Sequence, residues 1–89
     1  MPGLRPTPHH EAINMDVRAQ LMSAINEQIV NNGWTQSEAA EKLNVNQPRI
    51  SYLVSGQIER FSVDALLNMA ALAGLQIELT VKPATQHQP

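Results

Sequence analysis

Apolar residues recur at helical spacing along most of this 89-residue chain, and capping residues divide them into four predicted helices. The first helix is expected to have Asp16 as its N-cap and to end near Asn32, before Gly33. Three shorter helices are expected at about 36–43, 47–55 and 63–73, with the N-caps Thr35, Asn46 and Ser62. The core is expected to include the methionines Met15, Met22 and Met69.

The apolar period changes from helical to alternating after Gly74. Such alternation is typical of a half-buried strand, and a lone strand leaves its backbone donors and acceptors unpaired. We therefore expect pairing with the same strand of a second copy. Addition of the strand to the sheet edge of a different partner is the alternative. The expected dimerisation residues are Leu75, Ile77, Leu79 and Val81.

The second and third predicted helices are short and are joined by about three residues, which is the geometry of a helix-turn-helix motif. Asn44 lies in the turn and tolerates the left-handed backbone that ends many helices. In this motif the second helix enters the major groove of DNA, where glutamine and arginine can each make two hydrogen bonds to a base. The candidates for reading bases are Asn46, Gln47, Arg49, Ser51 and Tyr52.

A second set of polar residues flanks these helices and is expected to contact the phosphate backbone. Gln36 begins the second helix, where backbone N–H groups favour an anion. The phosphate-binding candidates are Thr35, Gln36, Lys42, Ser55 and Arg60. The net charge of the chain is -2, so DNA binding would depend on a few placed hydrogen bonds and on two-fold avidity more than on bulk charge.

The segment WTQSEAAEKLNVNQPRISYLVSG, residues 34–56, resembles the helix-turn-helix of the phage lambda repressor, Cro and XRE superfamily. Members of that family often place one glutamine on a phosphate and another on bases, and Gln36 and Gln47 occupy those positions here. Asn44 replaces the usual turn glycine. The wider segment through residue 83 is similar to XRE-type antitoxins, including HigA-like proteins. That resemblance implies a dimer that represses its own operon and binds a ribonuclease toxin.

Other function classes are not favoured by the composition. The absence of cysteine excludes disulfides and thiolate zinc sites and fits a cytoplasmic protein. No apolar run reaches the length of about 18 residues that a membrane span needs. His9 and His10 are adjacent and His87 is isolated, so a metal site is not expected. Catalytic motifs are missing, and we expect no enzyme activity and no cofactor.

The predicted fold is an all-α, lambda-repressor-like helix-turn-helix bundle of four to five helices with a short C-terminal β-strand that pairs across a dimer. A flexible arm is expected over 1–14, the DNA-binding domain over 15–74, the dimerisation strand over 75–82 and a disordered tail over 83–89. The predicted function is sequence-specific repression at a double-stranded DNA operator, with recognition helices about 34 Å apart in the dimer. A toxin remains open as a further partner. The alternative function is protein interaction without DNA readout.

Overall fold

The computed structural model describes residues 9–83, which form four α-helices and one short 3₁₀ turn. The α-helices are α1 (His9–Asn32), α2 (Gln36–Lys42), α3 (Gln47–Val54) and α4 (Val63–Leu72), and the 3₁₀ turn spans Ile58–Arg60. Helix α1 packs against α4, and α2 packs against α3. The predicted all-α bundle with a helix-turn-helix is confirmed. The 3₁₀ turn was not expected from the sequence.

Helix α1 is longer than the sequence analysis predicts, because it begins at His9 and not after Asp16. The prolines of the expected arm all precede His9, so none interrupts the hydrogen bonds of the added turns. Glu11 lies in the first turn, where the helix dipole favours a negative charge. Residues 9–14 are therefore helical and do not belong to an arm. Residues 1–8 and 84–89 lie outside the described part of the chain.

The predicted caps of the other helices are confirmed. Thr35 and Glu38 form a capping box, in which each side chain bonds the other residue's backbone N–H at 3.0 and 2.9 Å. Asn46 accepts a hydrogen bond from the backbone of α3, and Ser62 accepts one from the backbone of α4. Asn44 has a φ of 58°, which is the left-handed conformation expected for the turn. The caps fix where α2, α3 and α4 begin, and the left-handed backbone of Asn44 turns the chain after α2.

One apolar core unites the helices. Its largest fully buried side chains are Phe61, Ile25, Leu43, Ile50, Leu53 and Leu66. Met22 and Met69 are buried as expected, whereas Met15 is about half exposed, because it lies on the part of α1 that projects beyond the core. The single phenylalanine, Phe61, follows the 3₁₀ turn and brings that turn onto the core.

Polar side chains of α1 donate hydrogen bonds to backbone carbonyl groups far away in the sequence. Arg18 donates from Nη1 to the carbonyl oxygens of Ile58 and Phe61, at 3.1 and 3.2 Å. Gln28 donates to the carbonyl oxygen of Ala73 at 2.8 Å, at the end of α4. Hydrogen bonds to partly buried carbonyls satisfy groups that would otherwise lose solvation. They hold the 3₁₀ turn and the end of α4 against α1.

Residues 75–83 follow α4 without helical structure, and no strand is assigned within residues 9–83. Leu75 packs partly against the core, but Leu79 and Val81 are 83% and 81% exposed. Pairing with a second copy requires that copy, so the predicted intersubunit strand stays a prediction.

Burial of α3 against the core can be tested with two neighbouring residues. Leu53 is fully buried, whereas the next residue, Val54, is 42% exposed. We expect Leu53→Ala to lower the free energy of unfolding by about 2–5 kcal/mol, since a cavity remains where the side chain packed. Val54→Ala, the matched control, should change it by less than about 1 kcal/mol.

Urea unfolding at one fixed protein concentration, followed by fluorescence of the only tryptophan, Trp34, measures both values. Equal losses in the two variants would show that α3 is not packed through Leu53.

Candidate nucleic-acid interface

Two apolar residues of α3 are buried in the core, and they show which side of this helix faces inward. Ile50 and Leu53 are fully buried. Gln47 and Ser51 lie one turn apart, about 110° around the helix from the mean direction of that buried pair, and both are exposed. Ser55, the C-cap residue, follows one turn later and is exposed too. We call these three residues the polar edge of α3. Such an edge presents hydrogen-bonding groups along one line, as readout of a groove requires.

Asn46, at the start of this edge, has part of its hydrogen-bonding capacity occupied. Its Oδ1 accepts from the backbone N–H of Arg49 at 2.9 Å, as the N-cap of α3. The amide nitrogen lies on the other branch of the same group and remains a donor. Gln47 is exposed, and its side chain makes no hydrogen bond within residues 9–83. Gln47 is therefore the polar edge residue with the largest number of free side-chain donors and acceptors.

Arg49 does not share the polar edge, although the sequence analysis expects its side chain to point outward. It lies two residues after Gln47, about 200° around the helix, and is half-buried. Its guanidinium lies over the ring of Phe61, at 4.4 Å from the centroid, and Nη1 donates to the carbonyl oxygen of Arg60 at 3.0 Å. These contacts join α3 to the segment that follows it.

Tyr52 is half-buried and is covered by a second arginine. The guanidinium of Arg60 lies 4.1 Å from the centroid of the Tyr52 ring, and Arg60 Nε donates to Gln57 Oε1 at 2.8 Å. The two predicted residues Tyr52 and Arg60 are thus brought into direct contact. Sequence reasoning missed Gln57 and Phe61 as parts of this arrangement, because neither belongs to a motif that signals a partner.

Ser55 has a hydroxyl group that is engaged within the protein. It donates toward the carbonyl oxygens of Ser51 and Tyr52, at 2.8 and 3.2 Å, and accepts from Gln57 Nε2 at 3.1 Å. A phosphate contact through this hydroxyl would need rotation of the proton away from the helix. The structure consequently gives Ser55 a local role at the C-terminus of α3.

The remaining phosphate candidates are exposed around α2. Gln36 is the first residue of this helix, and Lys42 is its last. Thr35 accepts from the backbone of Glu38 and therefore keeps its own hydroxyl proton free. Because α2 packs against α3, these side chains surround the motif that carries the polar edge.

Two further properties concern residues 9–83 only. In this range no three His, Cys, Asp or Glu side chains are grouped so that they could hold a metal ion. The helices in the same range are too short or too polar to cross a membrane. His87 and the side chains of His9 and His10 lie outside what the structure describes.

Comparison with known proteins gives one family and one fold. A family model described as a helix-turn-helix domain matches residues 8–82. The fold is similar to a solved structure assigned to the XRE family of transcriptional regulators, with a TM-score of 0.79 and 25% sequence identity over 89% of both chains. No curated protein matches the chain. The chain belongs to the helix-turn-helix domain family, and its fold is XRE-like.

Proposed function

We propose that this protein is a transcriptional repressor of the cytoplasm that binds double-stranded DNA in a sequence-specific manner through the polar edge of α3. The observation that carries the proposal is the exposure of Gln47 and Ser51, one turn apart on α3 and outside the face that Ile50 and Leu53 bury. The match to the helix-turn-helix family and the similar XRE-family structure support it. In this motif the second helix lies in the major groove.

The exposed residues divide into base contacts and backbone contacts. Gln47 is the principal base-reading residue in this proposal, because its amide can donate and accept at the edge of an adenine. Asn46 precedes it as the N-cap of α3, Ser51 follows it one turn later, and both are exposed. Thr35, Gln36 and Lys42 approach the phosphate backbone from α2. Backbone contacts fix the position of a protein on DNA but carry no sequence information themselves.

A dimer is part of the proposal. The chain carries six Lys and Arg against eight Asp and Glu, so one copy has little electrostatic affinity for DNA. Two copies joined through residues 75–82 would place two polar edges on one duplex, and the second binding event would become intramolecular. The exposed apolar side chains of Leu79 and Val81 support this segment as the dimer contact.

Binding of a toxin is a second candidate function. It rests on the resemblance to XRE-type antitoxins and on exposed apolar residues outside α3, such as Val30 of α1, whose side chain is 76% exposed. Coexpression with the product of the adjacent gene tests it. A stable complex that is lost in Val30→Asp would support an antitoxin, and separate elution of the two proteins would count against it.

Readout by Gln47 predicts a change in sequence preference. Selection from duplexes with about 20 randomised base pairs, two helical turns, would define the preferred site of the wild-type protein. We expect Gln47→Ala to lose the preference at one position in each half-site, with affinity for the best sequence weakened by about 1–3 kcal/mol.

Gln20→Ala, an exposed glutamine on α1, is the matched control and should bind like the wild type. Uniform weakening over all sequences by Gln47→Ala would assign this residue to the phosphate backbone. Absence of DNA binding by the wild type, even at low salt, would refute the proposed function itself.

The dimer contact predicts that the C-terminal segment sets the oligomeric state. Deletion of residues 75–89 should give a monomer by light scattering and should weaken DNA binding, whereas deletion of 84–89 alone should leave the dimer intact. Leu79 and Val81 lie on the same face of an extended strand, and Glu78 and Thr80 lie on the other.

The double substitution Leu79→Asp/Val81→Asp should therefore dissociate the dimer, while Glu78→Gln/Thr80→Asp should not. A dimer that survives deletion of residues 75–89 would show that the two copies meet elsewhere.

A further inference from the structure

We propose that Tyr52, Gln57 and Arg49 are positioning residues that hold the guanidinium of Arg60 in place to bind a DNA phosphate beside α3. This inference rests on the proposed function and deepens it, because it assigns Tyr52 and Arg49 to the support of a phosphate contact and not to base readout. It also adds Gln57, which the sequence analysis does not identify.

The first step is the placement of the Arg60 side chain. Its guanidinium lies 4.1 Å from the centroid of the Tyr52 ring, and its Nε donates to Gln57 Oε1 at 2.8 Å. The Tyr52 ring covers one face of the Arg60 guanidinium, and the hydrogen bond to Gln57 occupies Nε. Neither Nη nitrogen of Arg60 has a hydrogen-bond partner within residues 9–83. The two donors that suit a bidentate contact with phosphate therefore remain available.

The second step is the placement of the Arg60 backbone. Arg49 Nη1 donates to the carbonyl oxygen of Arg60 at 3.0 Å, while its guanidinium lies over the Phe61 ring. Phe61 is almost fully buried, so this arginine is anchored on the core. Arg49 and Tyr52 both belong to α3 and are three residues apart. Arg49 holds the backbone of Arg60, and Tyr52 holds its guanidinium. Arg60 consequently has a fixed position relative to α3.

The third step is the choice of ligand. An arginine held by stacking and by a neutral glutamine keeps its full positive charge, and its planar fork matches the oxygen atoms of a phosphate. A helix that enters the major groove runs between the two phosphate backbones, and residues just beyond its C-terminus lie near one of them. Arg60 is exposed and follows α3 by six residues. The net charge of the chain is -2, so its affinity for DNA depends on few cations. A cation whose side chain is already ordered loses less conformational entropy on binding.

Substitutions at Tyr52 and Arg60 separate this role from base readout. Binding is measured by fluorescence anisotropy with the selected duplex and with an unrelated duplex, over a series of salt concentrations. Arg60→Gln should weaken binding to both duplexes and should reduce the slope of log K against log salt by about one per chain, because one phosphate contact is lost. Tyr52→Leu should weaken both by about two- to five-fold, the value of an exposed cation–π contact.

Tyr52→Phe is the matched control, because it keeps the aromatic face and removes only the hydroxyl. It should bind like the wild type. In the Arg60→Gln background, Tyr52→Leu should have little further effect, since the two residues act through one contact. Arg49→Met keeps the aliphatic stem and should weaken both duplexes equally, with the salt slope unchanged.

The arrangement can also be checked without DNA. Because the Arg60 guanidinium lies over the Tyr52 ring, the NMR signal of the Arg60 Nε proton should show a ring-current shift in the free protein. The shift should persist in Tyr52→Phe and disappear in Tyr52→Leu. Thermal unfolding of each variant shows whether the fold is retained.

Three results would overturn the inference. The first is a changed base preference at one position in Tyr52→Leu or Arg49→Met, which would make that residue a base reader. The second is full additivity of Tyr52→Leu and Arg60→Gln. The third is wild-type affinity in Tyr52→Leu, which would leave the proposed function standing and remove only the positioning role. If the wild-type protein binds neither duplex, the proposed function and this inference fail together.

Discussion

The rotation of α3 about its own axis is the constraint on which the account depends. Burial of Ile50 and Leu53 sets this rotation, because both side chains are enclosed completely by the core. Removal of apolar side chains from water is the main favourable term in folding, and a rotated helix would expose them. With those two residues inside, the helical period turns Ser51 and Ser55 away from the core and leaves Gln47 exposed at the border of the buried face. The polar edge is thus a direct consequence of core packing, and it needs no bound ligand to form.

Much of the fold could be predicted from the sequence, because capping is a local property. Thr35, Asn46 and Ser62 each bond the first turn of the helix that follows, and those bonds involve residues three positions apart. The predicted start of α1 after Asp16 is wrong, because α1 begins at His9. The prolines that argue against a helix all lie within residues 1–8, and residues 9–14 contain none. The predicted C-terminal strand depends on a second chain, and the alternation of apolar residues after Gly74 does not identify the strand with which it pairs.

The candidate site could be predicted less well, for a geometric reason. Arginine was assigned to base readout by residue type, but Arg49 is two positions from Gln47, and residues so spaced do not share a helix face. The contacts of Arg49 with Phe61 and of Arg60 with Tyr52 join residues eight to twelve positions apart. The path of the chain through the 3₁₀ turn brings them together, and no periodicity signals that path. Both arginines therefore join α3 to the segment that follows it, in addition to carrying a positive charge.

The most direct measurement is NMR mapping of an isotope-labelled protein titrated with its selected DNA duplex. The account predicts that the largest shifts occur at the side-chain amide of Gln47 and at the backbone amides of Ser51, Gln36 and Arg60. Amides around Val30, on the exposed part of α1, should stay unchanged. Shifts concentrated on α1, with Gln47 and Ser51 unaffected, would show that the polar edge of α3 does not enter the groove and would contradict the account.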